Sequence, residues 1–163
     1  SWAERYAMDA FPETAPKPGE GKRAVVVEET GRSAYENWVV AGSHRSLADE
    51  PVSVGGGDAG PDPYQYLNAA LGACTSMTMR MYADRKGWPV EKISVNVTHE
   101  KTHADDCETC ESRDEKVDVF ERKIRIDGDL DEKQRIRMLE IADKCPVHRT
   151  LHSPTVIRTT EWT

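Results

Sequence analysis

Long apolar runs are missing from this chain of 163 residues. No stretch approaches the ~18 consecutive apolar residues of a membrane-spanning helix. No basic, then apolar, then small-residue segment opens it as a secretory signal would. Cysteine is scarce, with four residues, far below the ~8–10% of a secreted disulfide scaffold. Positive charge is also short: 22 Lys plus Arg stand against 29 Asp plus Glu, a formal charge of −7. That deficit argues against non-specific nucleic-acid binding, which relies on Lys and Arg neutralising phosphates. It argues equally against docking on an anionic membrane. Aromatics make up 7% and the apolar residues 37%, so the core is thin and a partner subunit would complete it. The expected setting is a reducing cytoplasm, where a cysteine pair is more often catalytic, redox-active or metal-binding than structural.

At roughly 100–200 residues per domain, the length is that of one domain. A domain of this size buries about 68–70% of its unfolded surface and needs no disulfide staple. Residues 1–21 carry Pro12, Pro16, Pro18, Gly19 and Gly21 and read as an irregular arm, leaving 22–163 as the domain. Strands are expected over Lys22–Thr30, Tyr35–Ala41 and His44–Asp49. Residues Val54–Pro63 carry every turn signal; their Gly55–Gly57 run lacks the Gly-Lys-Ser/Thr of a phosphate loop.

Asp62 followed by Pro63 starts a helix, an N-cap acceptor before proline at the first helical position. It should run to Lys86 and stop at Gly87, with Pro89 just beyond. Leu67, Leu71, Cys74, Thr78, Met81 and Tyr82 give its expected buried stripe. Val90–His103 alternates cleanly and reads as a strand. Ala104–Glu115 is an acidic loop. Lys116–Asp127 is a further strand, with Val117 and Val119 out of phase, which suggests a bulge. Asp129 or Asp131 caps a second helix that buries Ile136, Leu139 and Ile141. Pro154–Trp162 reads as a last strand. Strands, long helix, strands, helix, strand without repeats is an α+β order.

Two cysteines stand on these helices. Cys74 alone reads first as packing, since free cysteine is among the most buried residue types. Cys145 differs because Pro146 follows it. If Pro146 opens a helical turn, Cys145 is its N-cap, where free N–H groups and the helix dipole favour a thiolate. An inert cysteine at a helix end is the equal alternative. Taken together the pair fits a redox cycle: one thiolate becomes a sulfenic acid, a second thiol condenses with it, and a reductant resets the disulfide.

The segment from Pro63 through Cys74 to Thr78 resembles the first-cysteine helix of the OsmC/Ohr family, the osmotically inducible protein C and organic hydroperoxide resistance proteins. Cys145-Pro-Val-His-Arg-Thr-Leu resembles that family's second-cysteine motif. The glycine-rich loop, the two helices, the strand order and the length agree, so the likeness covers Lys22 to Trp162. It implies an OsmC-like fold, with strands packed around two central helices. It implies an intertwined homodimer with active sites at the subunit interface. It also implies thiol-dependent reduction of organic hydroperoxides, with Cys74 peroxidatic, Cys145 resolving, a dithiol as reductant and no organic cofactor. In the peroxidase branches a Glu after the helix-opening Pro orients a catalytic Arg. Tyr64 and Gln65 stand here instead, which resembles a less characterised OsmC-like branch. Arg32 is the first candidate for that Arg and Arg45 the second.

A second constellation comprises His99, His103, Cys107 and Cys110. Zinc, an accessory disulfide and an inert acidic loop are its three readings, because a single CxxC with no matching partner motif is a weak signal. Asp105, Asp106, Glu108 and Glu111 would oppose thiol ionisation. The alternative function is thus a non-catalytic or metal-dependent binding protein that uses residues 99–110. Met77, Met79 and Met81 read as gap-filling packing.

Overall fold

The computed structural model describes residues 15–103 and 116–162. It divides into two units, Ser1–Tyr66 and Leu67–Thr163. In the first, β1 (Val26–Glu29), β2 (Asn37–Ala41) and β3 (His44–Ala48) form an antiparallel sheet in chain order. The period of two along a strand puts Glu36, Trp38 and Val40 on one face, and all three are buried. Val40 lies opposite Val26, which is buried with it. β1 is shorter than the sequence suggests because residues 21–23 form a turn, closed by the Ala24 N–H on the Gly21 carbonyl, so pairing with β2 starts at Val26 and ends at Glu29, opposite Asn37; the turn beyond carries Arg32.

The glycine-rich loop is built on Asp49. Its buried carboxylate accepts the N–H groups of Glu50 at 2.8 Å, Gly57 at 3.0 Å and Ala59 at 3.1 Å. Burial pushes this carboxyl up, but the three backbone donors outweigh it and hold it below the ordinary carboxylate value. The loop folds back so closely that a Cβ on Gly56 would lie 1.8 Å from the Glu50 carbonyl oxygen. No side chain fits there.

The long helix, α1 (Pro63–Lys86), has the expected bounds. Asp62 Oδ1 accepts the Gln65 N–H at 2.8 Å, and Gln65 Oε1 accepts the Asp62 N–H at 2.9 Å. This is a reciprocal capping box.

In the second unit, β4 (Val90–His103) and β5 (Lys116–Gly128) pair as a long antiparallel hairpin. Their register is continuous from Lys92 opposite Asp127 to His103 opposite Lys116. The irregularity therefore lies between Val90 and Lys92, and the bulge suggested at Val117–Val119 does not form. Facing pairs Ile93–Ile126, Val95–Ile124, Val97–Arg122 and His99–Phe120 line up along the hairpin.

α2 (Glu132–Ala142) is capped by Asp131, again with a capping box through Gln134. α3 (Pro146–Leu151) follows directly. Met79, Ala83, Val90, Ile126, Leu130, Met138, Ile141 and Ala142 form one buried cluster between the helices and the hairpin.

The expected stripes shift. On α1 the buried residues are Leu71, Thr75, Met79 and Ala83, while Leu67 and Met81 are exposed at 42% and 65%. Apolar residues surround this helix, so periodicity alone did not select its buried face. On α2, Met138 takes the core position, and Ile136 and Leu139 are exposed. Residues 154–162 form no strand, and Val156, Ile157 and Trp162 are exposed. Their β-favouring composition has no partner strand among the described residues. The architecture is α+β, and among the described residues no helix is long and apolar enough to cross a membrane.

Candidate thiol site

Both helix cysteines are free thiols. Cys74 is half-buried in the middle of α1, and Cys145 is fully buried. Pro146 opens α3, so Cys145 becomes its N-cap, as the sequence suggests. Its backbone is extended there, and its sulfur accepts the His148 N–H at 3.3 Å.

The neighbour of Cys74 in the chain reaches Cys145. Thr75 Oγ1 lies 3.7 Å from Cys145 Sγ. The Thr75 hydroxyl donates to the Leu71 carbonyl at 2.7 Å, the shorter of its two acceptor contacts. Thr75 is fully buried, so its oxygen needs these partners. The turn of α1 that carries Cys74 and the cap of α3 are therefore in direct contact.

Arg122 joins the same group. Its Nη1 donates to Thr75 Oγ1 at 2.9 Å and to the Ala142 carbonyl at 3.0 Å. Its Nη2 donates to Asp143 Oδ1 at 2.7 Å and to His148 Nδ1 at 2.8 Å. A guanidinium only donates, so Nδ1 of His148 is the acceptor and the imidazole is neutral with its proton on Nε2. The surroundings agree. Burial and then the Arg122 charge push the His148 pKa below its ordinary value, His152 adds to this, and Asp143 opposes it. The rings of His148 and His152 lie parallel, 5.7 Å apart. Beside them is a cavity of about 190 Å³. Leu71, Phe120 and Leu151 supply its apolar wall, and Arg122, His148, His152 and Asp118 its polar one.

Arg32 belongs to the first unit. Its Nε donates to Glu36 Oε1 at 2.5 Å, and its guanidinium carbon lies 5.2 Å from the Trp38 ring centroid. Glu36 is buried and also accepts the Thr30 hydroxyl at 2.7 Å. Arg32 thus has a carboxylate from its own turn. Gln65 is engaged in the α1 capping box. Arg45 is exposed on β3.

His99 Nε2 is 2.8 Å from Asp118 Oδ1, and its ring packs on Phe120 at 4.7 Å. The His103 side chain, Cys107 and Cys110 lie outside the described residues. Among the described residues no group of three or more His, Cys, Asp and Glu could hold a metal ion.

Sequence reasoning did not single out Arg122, Thr75 or Glu36. A signal for Arg122 was present. It falls in phase with Phe120, Ile124 and Ile126, where alternation places the inward-facing residues of a strand. A charged residue in that row requires buried partners.

Residues 55–160 match the family model described as OsmC-like protein. No curated protein matches the chain. Among solved structures, an OsmC like protein from Mycoplasma pneumoniae is similar, with 18% identity, a TM-score of 0.62 and coverage of 82% of this chain and 89% of that one. A candidate osmotic stress induced and detoxification response protein from Psychrobacter arcticus has 17% identity and a TM-score of 0.63, with coverage of 81% and 90%. An organic hydroperoxide resistance protein OsmC from Legionella pneumophila has 17% identity and a TM-score of 0.57, with coverage of 81% and 91%. Likeness at these identities is a likeness of fold.

Proposed function

This chain belongs to the OsmC-like protein family, and on that premise we propose that it reduces organic hydroperoxides with its own thiols. The Cys74 thiolate attacks the O–O bond, the bond breaks, and the alkoxide takes a proton to leave as an alcohol. Cys74 becomes a sulfenic acid. The Cys145 thiol condenses with it; the S–S bond forms and water leaves. A dithiol then reduces the disulfide and is itself oxidised.

The carrying observation is the 3.7 Å contact of Thr75 with Cys145, which joins the turn bearing Cys74 to the cap bearing the second thiol. The Legionella relative, named for organic hydroperoxide resistance, supports the substrate class. Arg32 orients the peroxide and stabilises developing negative charge. Its carboxylate partner is Glu36, which does what a helix Glu does in the peroxidase branches. The working form is an intertwined homodimer in a reducing cytoplasm, with active sites at the subunit interface. The exposed Leu67, Met77 and Met81 on α1 and Val156 and Ile157 near the chain end are suited to that second copy.

The test is hydroperoxide consumption under a dithiol such as dithiothreitol, with cumene hydroperoxide as substrate. Turnover should vanish in Cys74→Ser. A Cys74→Ser protein as fast as the parent would sink the reading.

A further inference from the structure

The geometry points to Arg122 as a positioning residue for disulfide closure between Cys74 and Cys145. The identity of the reacting pair rests on the thiol-peroxidase reading above; the arrangement itself does not.

Arg122 ties three segments. It holds Thr75, the residue after Cys74; Ala142 and Asp143, just before Cys145; and His148, just after it. Its side chain is only 12% exposed. Charge neutralisation does not account for this burial. Among the described residues Asp143 is its one anionic partner, and it is 66% exposed. A surface arginine could reach that carboxylate without being buried. The other three partners are a hydroxyl, a carbonyl and a neutral imidazole. The planar fork of arginine supplies this set from two nitrogens at fixed angles, and an ammonium does not.

The consequence concerns the second half of the cycle. In the resting thiol the Cys145 sulfur accepts the His148 N–H. To form the S–S bond it must leave that donor and approach Cys74. Arg122 grips the His148 ring and the Asp143 carboxylate throughout, so the first turn of α3 stays in place while the sulfur turns. It grips Thr75 as well, so the opposing turn of α1 is held to the same guanidinium. The role assigned to Arg122 is one of position, exerted through Thr75, Ala142, Asp143 and His148, and it transfers no proton.

The experiment is a single turnover with one equivalent of cumene hydroperoxide and dimedone present, read by intact mass and peptide mapping. It is run on the parent, Arg122→Lys, Arg122→Ala and Thr75→Val, each with its fold checked by circular dichroism. In Arg122→Ala, Cys74 should still be oxidised at the parent rate. Disulfide closure should slow on the order of 100-fold, as expected for a misplaced reacting group, and the Cys74 sulfenic acid should be trapped by dimedone. Arg122→Lys should restore less than about a tenth of the closure rate, because it restores charge without the fork. Closure at the parent rate in either variant overturns the role, and so does equal slowing of both steps. If Arg122→Ala does not fold, Thr75→Val decides: closure about tenfold slower supports the role, and parent-like closure overturns it. A parent chain that consumes no hydroperoxide defeats the peroxidase reading alone. The series is then run with diamide as the thiol oxidant, where the same order of closure rates is expected. No difference among the variants, or no Cys74–Cys145 disulfide in the parent, overturns the role.

Discussion

The Thr75 hydroxyl oxygen lies 3.7 Å from the sulfur of Cys145, across 70 positions of chain. That contact places the cap of a short helix against the turn of a long one. Each of the two carries a free cysteine, on α1 one residue before Thr75 and on α3 as the cap itself. A cycle that passes through a disulfide needs such a juxtaposition.

Arg32 should matter to chemistry more than to stability. Its side chain is half exposed and lies in a turn, where ion pairs contribute little. Arg32→Ala should lower kcat/KM for hydroperoxide on the order of 100-fold, as loss of one oriented donor does, while the melting temperature moves little. Glu36→Gln should lower kcat/KM in the same direction and also lower the melting temperature, because Glu36 is buried and accepts from both Thr30 and Arg32. Initial rates and thermal melts on the two variants check this.

Stability should depend on Asp49 in acid. Its carboxyl is held below the ordinary value in the folded chain. The unfolded state therefore binds the proton more readily, and stability rises with pH through that range. The contribution is complete above the unfolded pKa of about 4 and is lost as pH falls through the lower folded value. Urea midpoints from pH 6 down to pH 3 should fall for the parent. For Asp49→Asn they should start lower and fall less.

His148 gives a second window, at higher pH. Its folded pKa lies below the ordinary histidine value, because partial burial and then the Arg122 charge disfavour the protonated ring, whose Nδ1 accepts from Arg122. Stability from this group is complete above about pH 6.5 and is lost as pH falls through the lowered folded value, where protonation removes the acceptor. Melting temperatures between pH 7.5 and 5 should decline in the parent. The decline should be shallower in His148→Gln, whose side chain accepts a hydrogen bond without titrating.

Local signals in the sequence carry the helix ends, and tertiary partners decide the rest. α1 was bounded correctly because Asp62-Pro63 and Gly87 are strong local signals that depend little on tertiary context. Cys145 was placed at a cap because Pro146 cannot continue a helix but can begin one. Periodicity places Leu71 of α1 and Ile141 of α2 in the core, as the structure does, but not the rest of either buried face. Leu67, Met77, Met81, Ile136 and Leu139 are apolar yet exposed in the single chain, so hydrophobicity did not distinguish the core face from the other. Val156 and Ile157 favour a strand, but a strand also needs a partner to pair with, which local composition does not supply. Gln65 lacks a carboxylate, but its bond to Asp62 completes the Asp-x-x-Gln capping box. Arg122 sat in the inward row of β5, but its partners come from α1, α2 and α3, distances that no spacing rule spans.

The most direct measurement of the central claim is peptide mapping of the non-reduced chain after one equivalent of organic hydroperoxide. The account predicts a Cys74–Cys145 disulfide that forms in step with peroxide loss, is reversed by dithiothreitol and is absent from Cys74→Ser. Peroxide consumed while both thiols stay free, or a disulfide that excludes Cys74, would contradict it.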